Sequence, residues 1–332
     1  MSSTRPVPET RDADGSELSA EDAWHTLLKY GSWRLMRDAF VRFRYADGFS
    51  HSRAFALQLC LATVPFLIAL TGLAADLGQD RGGEVIARTM LVLTPGGSDA
   101  IVADVLSGQE RADEAGEVAL TLGLLTGLVA LTMAMAQVER GANRVYGVER
   151  DRPALRKYLR AAVLAVTAGV AALAGFLVIV AGGPFGEAIQ ETYRWGDAAE
   201  TVWDWVRWPA GIALAVTAIA AMFEWAPRRR QPGASWLAFG AAISVLLWLL
   251  VSLALAAYVA GSGSFGATYG PLTAVMALLL WANLTGIALF LGLAFAAQLE
   301  AVRAGVPSPA QRDRWQAPDE LAEQASGGGH GA

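Results

Sequence analysis

The chain has 332 residues, 54% of them apolar and only 17% charged, with a net charge of −5. That is too hydrophobic for an ordinary soluble domain and points to a membrane protein. One cysteine, Cys60, and the scattered histidines His25, His51 and His330 exclude a disulfide framework and a Cys/His metal cluster, so no metal and no cofactor are expected.

The chain opens on MSSTRPVPETRDADGSELSAED, without the basic-then-apolar run of a signal peptide. Residues 1–28 are therefore expected to be a disordered cytoplasmic tail, and the Gly-rich residues 304–332 another. Between them, residues 29–303 read as an all-α, polytopic membrane bundle. From Lys29 to Tyr45, Trp33, Met36, Phe40 and Phe43 recur at helical spacing opposite Arg34, Arg37, Arg42 and Arg44. This suits an amphipathic helix on an anionic membrane surface; the alternative is a helix packed on the bundle.

A bilayer core about 30 Å thick needs about 20 apolar residues of helix. Six stretches meet that need: 54–75, 118–138, 161–181, 208–225, 236–260 and 271–299. The fourth carries Pro209 in its expected first turn, where a missing N–H costs nothing. In the loop before the second, Glu84 to Leu93 and Ser98 to Leu106 are expected as two short helices broken at Pro95, Gly96 and Gly97.

Arginine sets the orientation, because basic connectors stay on the cytoplasmic side. Arg34, Arg37, Arg42, Arg44 and Arg53 precede the first span, Arg140 to Arg160 separate the second from the third, and Arg228, Arg229 and Arg230 follow the fourth. The remaining loops are acidic or uncharged. Both termini are thus expected in the cytoplasm. Trp203, Trp205 and Trp208 are expected in the outer interfacial belt, and Trp225 and Trp236 in the inner one. Three spans on either side of the Tyr193 to Trp205 loop would place the halves in opposite orientations, as in inverted-repeat transporters, although the halves show no self-similarity.

Polar side chains inside spans are costly, so Gln58, Asn283 and Thr285 are candidates for lining a cavity, with helix-to-helix hydrogen bonding as the alternative. Pro65 breaks the backbone ladder of the first span and is expected to kink it. Glu139, Arg140, Asn143, Arg144 and Tyr146 end the second span, and helical spacing puts Glu139, Asn143 and Tyr146 on one face. They are either a polar cluster at the cytoplasmic mouth that binds an anionic head group or a topology-setting charge network. Glu224 and Arg228 read as an interfacial ion pair.

The opening FALQLCLATVPFLIAL with Pro65, the connector QVERGANRVYGVERDRPALRKYLRA with Asn143, Arg144, Tyr146 and Arg152-Pro153, and the block from Pro232 to Gly292 with Tyr269-Gly270 and Trp281 together resemble the YihY/BrkB family of bacterial inner-membrane proteins, formerly labelled ribonuclease BN. The resemblance runs from about Arg34 to Arg303. The family pattern implies Gly-Ala-Glu-Leu-Asn from Gly292, where Leu293, Ala294, Phe295 and Ala296 stand instead, and a serine where this chain has Ala62. What the resemblance implies is an envelope protein, linked in some pathogens to serum resistance, with transport of lipid-like or other small molecules as its role.

Two functions from different classes follow as expectations. One is a transporter with a cavity between spans one, two and six; the other is a non-transporting scaffold that binds anionic lipid or partner proteins through its basic inner face. A membrane-tethered ribonuclease fits less well, since nuclease chemistry wants convergent carboxylates or histidines. The chain is therefore expected not to be an enzyme, with membrane lipids rather than nucleic acid as partners. Oligomeric state is not legible, because lipid-facing and helix-facing apolar surfaces look alike in sequence.

Overall fold

The computed structural model describes residues 4–9, 18–76, 112–180, 182–193, 197–261 and 273–311. Among these residues the fold is all-helical, the one pairing of extended backbone being an isolated bridge between Thr4 and Ala310. That bridge puts both described chain ends at the same end of the bundle.

Helix α1, Ala20–Tyr30, starts where Ser19 and Asp22 cap each other's backbone in a capping box. Gly31, with φ 93°, turns the chain into α2, Ser32–Tyr45. Helices α3, Gly48–Asp76, and α4, Ala112–Tyr146, pair along their length. Helix α5, Ala154–Leu164, passes through a single π-helical turn at Ala165–Gly169 into α6, Val170–Val180. Then come α7, Gly182–Tyr193; α8, Asp197–Trp225; α9, Ala234–Gly261; and α10, Thr273–Arg303.

Five stretches of these helices are long and apolar enough to cross a membrane: Leu120–Tyr146, Ala154–Ile179, Thr201–Trp225, Ala234–Tyr258 and Val275–Arg303. They cover the second to sixth expected spans. Helix α3, which holds the first, is a continuous 29 residues. Large apolar side chains face outward along them, among them Leu122, Leu124 and Val129 on α4 and Leu246, Leu250 and Leu253 on α9. Water would not tolerate such a continuous apolar surface; lipid does. The chain is a membrane protein.

Helix crossings rely on missing side chains. Any Cβ on Gly240 would sit 2.6 Å from the Gly292 carbonyl oxygen, which brings α9 and α10 into backbone contact. On α4, a Cβ at Gly123 would come 2.9 Å from the carbonyl oxygen of Pro65, so α4 packs directly against the proline site of α3. Further along, Phe176 of α6 lies between Trp248 of α9 and Trp281 of α10, and the Trp281 indole donates to Ser252.

Several expectations need correction. Pro209 does not start a helix: residues 197–207 of the supposed outer loop are already helical, so the proline lies inside α8. Trp236 is fully buried and belongs to the core, while Trp205, Trp208 and Trp225 are exposed at the ends of α8 as interfacial residues should be. The stretch 1–28, expected as a disordered tail, contains α1 and an ordered extended segment, residues 4–9, in which Thr4 and Val7 are buried. Helix α2 combines its two readings. Leu35, Ala39, Arg42 and Phe43 are buried on the side that packs on α10, while Trp33 and Phe40 remain exposed. The short helices expected at Glu84 to Leu93 and Ser98 to Leu106 lie outside the described residues.

Candidate functional site

The buried residues at the arginine-rich end of the bundle include its buried charges, Arg42, Glu139, Lys157 and Glu300. Helix α4 supplies Glu139, Asn143 and Tyr146 on one face, four and then three residues apart, and all three are buried. Glu139 pairs with Arg152 at 3.1 Å, and the Arg152 guanidinium also donates to the carbonyl oxygens of Ala226 and Pro227. The pair is ionic rather than hydrogen-bonded, since neither Glu139 oxygen meets a donor at hydrogen-bonding geometry. Asn143 uses both ends of its amide: its nitrogen donates to Asp151 at 2.9 Å and its oxygen accepts the backbone N–H of Arg228 at 2.7 Å. Lys157 donates to Asp151 as well, at 2.9 Å. Burial alone would raise the Asp151 carboxyl, but the Asn143 amide and the Lys157 ammonium outweigh it and hold it below the usual range.

Tyr146 joins this cluster to a second one. Its ring lies under the Arg229 guanidinium, 4.7 Å from the centroid. Arg229 makes a two-pronged contact with Glu300, at 2.6 and 3.1 Å. Arg42, reaching in from α2, donates from Nε to Gln298 Oε1 at 2.8 Å and from Nη1 to the carbonyl oxygens of Arg5 and Val145. Gln298 in turn donates to the Pro307 carbonyl oxygen. Burial pushes the Arg42 guanidinium down to about 10, against the opposing pull of Tyr146 and Glu300, so it stays charged at neutral pH.

The structure places the sequence-named residues unequally. Glu139, Asn143 and Tyr146 sit inside the network. Arg140 lies on its rim, 3.5 Å from Asp151, and Arg144 is half-buried with its carbonyl oxygen accepting the Thr4 hydroxyl. Arg228 is directed to the carbonyl oxygens of Arg150 and Asp151, and no ion pair with Glu224 is found among the described residues.

The intramembrane candidates form no such cluster. His51, Gln58 and Pro65 recur every seven residues on α3 and so share a stripe. The stripe meets α4 at both ends, through a 2.9 Å contact of His51 with Gln137 and through Pro65 with Gly123. Half-buried Gln58 therefore lies on the seam between α3 and α4. Asn283 and Thr285 are half-buried on α10, next to Gly286, which packs on the backbone of Ser52. Among the described residues no hydrogen bond joins Gln58 to either of them. A cleft of about 350 Å³ lies elsewhere, between α1 and α10, lined by His25, Thr26, Lys29, Tyr30, Val302 and Arg303.

Sequence reasoning treated Arg42, Arg152, Lys157 and Arg229 as markers of topology and passed over Gln298 and Glu300. The amide and acid sought at Leu293 to Ala296 occur just beyond, as Gln298-Leu299-Glu300, both polar side chains fully buried. Their signal was present: an amide and a carboxylate two residues apart at the inner end of an apolar helix, where a buried carboxylate demands a cation.

Three comparisons with known proteins bear on this arrangement. A family model described as virulence factor BrkB matches residues 39–317, a range that holds every residue of the network except the segment 4–9. A protein of Bacillus subtilis (strain 168) named ribonuclease-like protein YfkH is 24% identical over 257 residues, which are 77% of this chain and 92% of that protein. No solved structure matches.

Proposed function

The chain belongs to the virulence factor BrkB family, and on that premise we propose that it is a bacterial inner-membrane transporter of lipid-like or other small molecules, with six spans and both termini in the cytoplasm. The observation that carries this reading is the buried charge network at one end of an otherwise apolar bundle. Ionisable groups taken out of water are expensive to keep, which supports a role in binding or passage. Two observations support six crossings: the bridge between Thr4 and Ala310 suits an even number of passages, and the 29-residue α3 stands beside the five long apolar segments. Arginine at that end favours the cytoplasmic side.

The name of the Bacillus subtilis protein raises nuclease activity as a second reading. Against it, Glu139 and Glu300 are each committed to an arginine, Arg152 and Arg229, rather than converging with one another. We infer that the chain is not an enzyme, and that its partners are lipids and anionic head groups rather than nucleic acid. A scaffold role is favoured by one observation: α1 and α2 leave Trp24, Leu28, Trp33 and Phe40 exposed beside Arg34 and Arg37, a surface suited to the anionic inner leaflet.

Reporter fusions after Arg53, Arg150 and Arg230 test the topology, and all three should report the cytoplasm. Gln58→Leu and Asn283→Leu test the cavity. In a strain whose envelope phenotype depends on this protein, both should lose the phenotype at normal expression. An unchanged phenotype would transfer the function to the scaffold reading, and RNA cleavage by the purified protein that disappears in Glu139→Gln would restore the nuclease.

A further inference from the structure

Residues 4–9 lie extended across the buried network like a strap. Thr4 donates to the Arg144 carbonyl oxygen, Arg5 N–H to Pro309, and Val7 N–H to Tyr146, at 2.8, 3.2 and 3.1 Å. Beneath Pro6 sits Gly147 with φ +76°, where a Cβ would come 2.6 Å from the proline Cα. The strap also offers acceptors to the network. Its Arg5 carbonyl oxygen takes a hydrogen bond from Arg42 Nη1 at 2.9 Å, and its Pro8 carbonyl oxygen a longer one from Arg229 Nη2 at 3.4 Å.

Even with those carbonyls, the two guanidiniums are short of acceptors. Arg42 Nη2 and Arg229 Nε are buried without a hydrogen-bond partner, and beside them the buried Gln231 amide meets the Tyr146 hydroxyl. Charge is unbalanced in the same place. Two guanidiniums, Arg42 and Arg229, face one carboxylate, Glu300, which Arg229 already engages with two nitrogens. A buried constellation of cationic and neutral donors with one negative charge too few is the chemistry that holds an oxyanion, and guanidinium forks match phosphate oxygens in particular. Neutral backbone carbonyls are weaker acceptors for a guanidinium than charged phosphate oxygens, so a phosphate group entering here would compete for Arg42 and Arg229.

We propose that Arg42, Tyr146, Arg229 and Gln231 form a phosphate-class oxyanion site at the arginine-rich end of the bundle, and that residues 4–9 are a displaceable strap whose carbonyl oxygens fill it in the closed form. Only Thr4 and Val7 of the strap are buried, so little apolar surface must be uncovered to lift it. The phosphate can belong to a lipid head group or be free in solution. The site stands independently of transport, since binding and strap release are measurable whether or not anything crosses the membrane.

The test follows the strap in the full-length protein. Val7→Cys in a Cys60→Ser background is reacted with a maleimide in phosphatidylcholine nanodiscs, then with added inorganic phosphate at constant ionic strength, and then in phosphatidylglycerol nanodiscs. Labelling should be slow in phosphatidylcholine and rise by about tenfold or more in at least one other arm, as expected when a ligand draws on a minor open population. Acceleration by phosphate alone assigns a free anion, and acceleration by phosphatidylglycerol alone assigns a head group. Arg42→Gln should abolish the acceleration and Arg42→Lys should retain part of it. Should Arg42→Gln fail to fold, Tyr146→Phe removes a single donor and keeps the ring under Arg229; a full response in that variant overturns the site. Labelling that neither arm moves, or that chloride accelerates equally, overturns the proposal.

Discussion

Arg229 grips both carboxylate oxygens of Glu300, 71 residues away in sequence, at 2.6 and 3.1 Å, with both side chains almost wholly out of solvent. The pair ties the connector after α8 to the last turn of α10. Removing one member leaves a buried charge without its partner, which costs about 3–5 kcal/mol. Glu300→Gln and Arg229→Gln should each lower the unfolding temperature in detergent sharply. The double variant Arg229→Met with Glu300→Leu should be milder than either, and a strictly additive double variant would refute the coupling.

Asp151 supplies a pH dependence with a defined sign. Its folded carboxyl is held below the ordinary carboxylate value by Asn143 and Lys157 despite burial, so the folded state binds fewer protons than the unfolded one. The stabilisation is complete above the unfolded value, about 3.9, and is lost as pH falls through the lower folded value. Thermal unfolding followed from neutral pH into that acid range should fall less steeply for Asp151→Asn than for the natural chain. Parallel curves would remove Asp151 from the account.

The crossing of α9 and α10 should not accept a methyl group. A Cβ at Gly240 would lie 2.6 Å from the Gly292 carbonyl oxygen and 2.7 Å from the Ala296 Cβ. Gly240→Ala should destabilise the bundle by about 1–3 kcal/mol. Gly261→Ala, with nothing within 4 Å of its Cβ, is the control and should not lower the unfolding temperature.

Gly147 combines a positive φ of 76° with close contact to Pro6. Gly147→Ala should cost about 1–2 kcal/mol in backbone strain and push residues 4–9 off the network. A glutamyl endopeptidase should then cut after Glu9 faster, while the rest of the bundle stays intact. Equal cleavage rates would mean the strap does not depend on this contact.

Much of the fold was readable because hydrocarbon imposes a blunt rule. A backbone without water must bond within its own helix, so the runs Val118 to Val138 and Trp236 to Ala260 announce helices whatever their neighbours. The ends of helices were less legible. Residues 197–207 are polar enough to read as loop, yet they continue α8 through Pro209, because helix propensity and packing on α7 outweigh one missing N–H. Of the site, the face of α4 with Glu139, Asn143 and Tyr146 could be read from spacing alone, since residues three and four apart share a helix face.

Hydropathy and the placement of arginine, both properties of the chain in one dimension, determined the membrane class, the positions of the long helices and the basic end of the bundle. Only the tertiary structure decided which charges leave the water. Arg42 and Arg53 look equivalent as basic residues before the first long helix, but one is fully buried against Gln298 and the other reaches Ser50 at the surface. The difference lies in contacts with residues 37, 103 and 256 positions away, so no local pattern could have carried it.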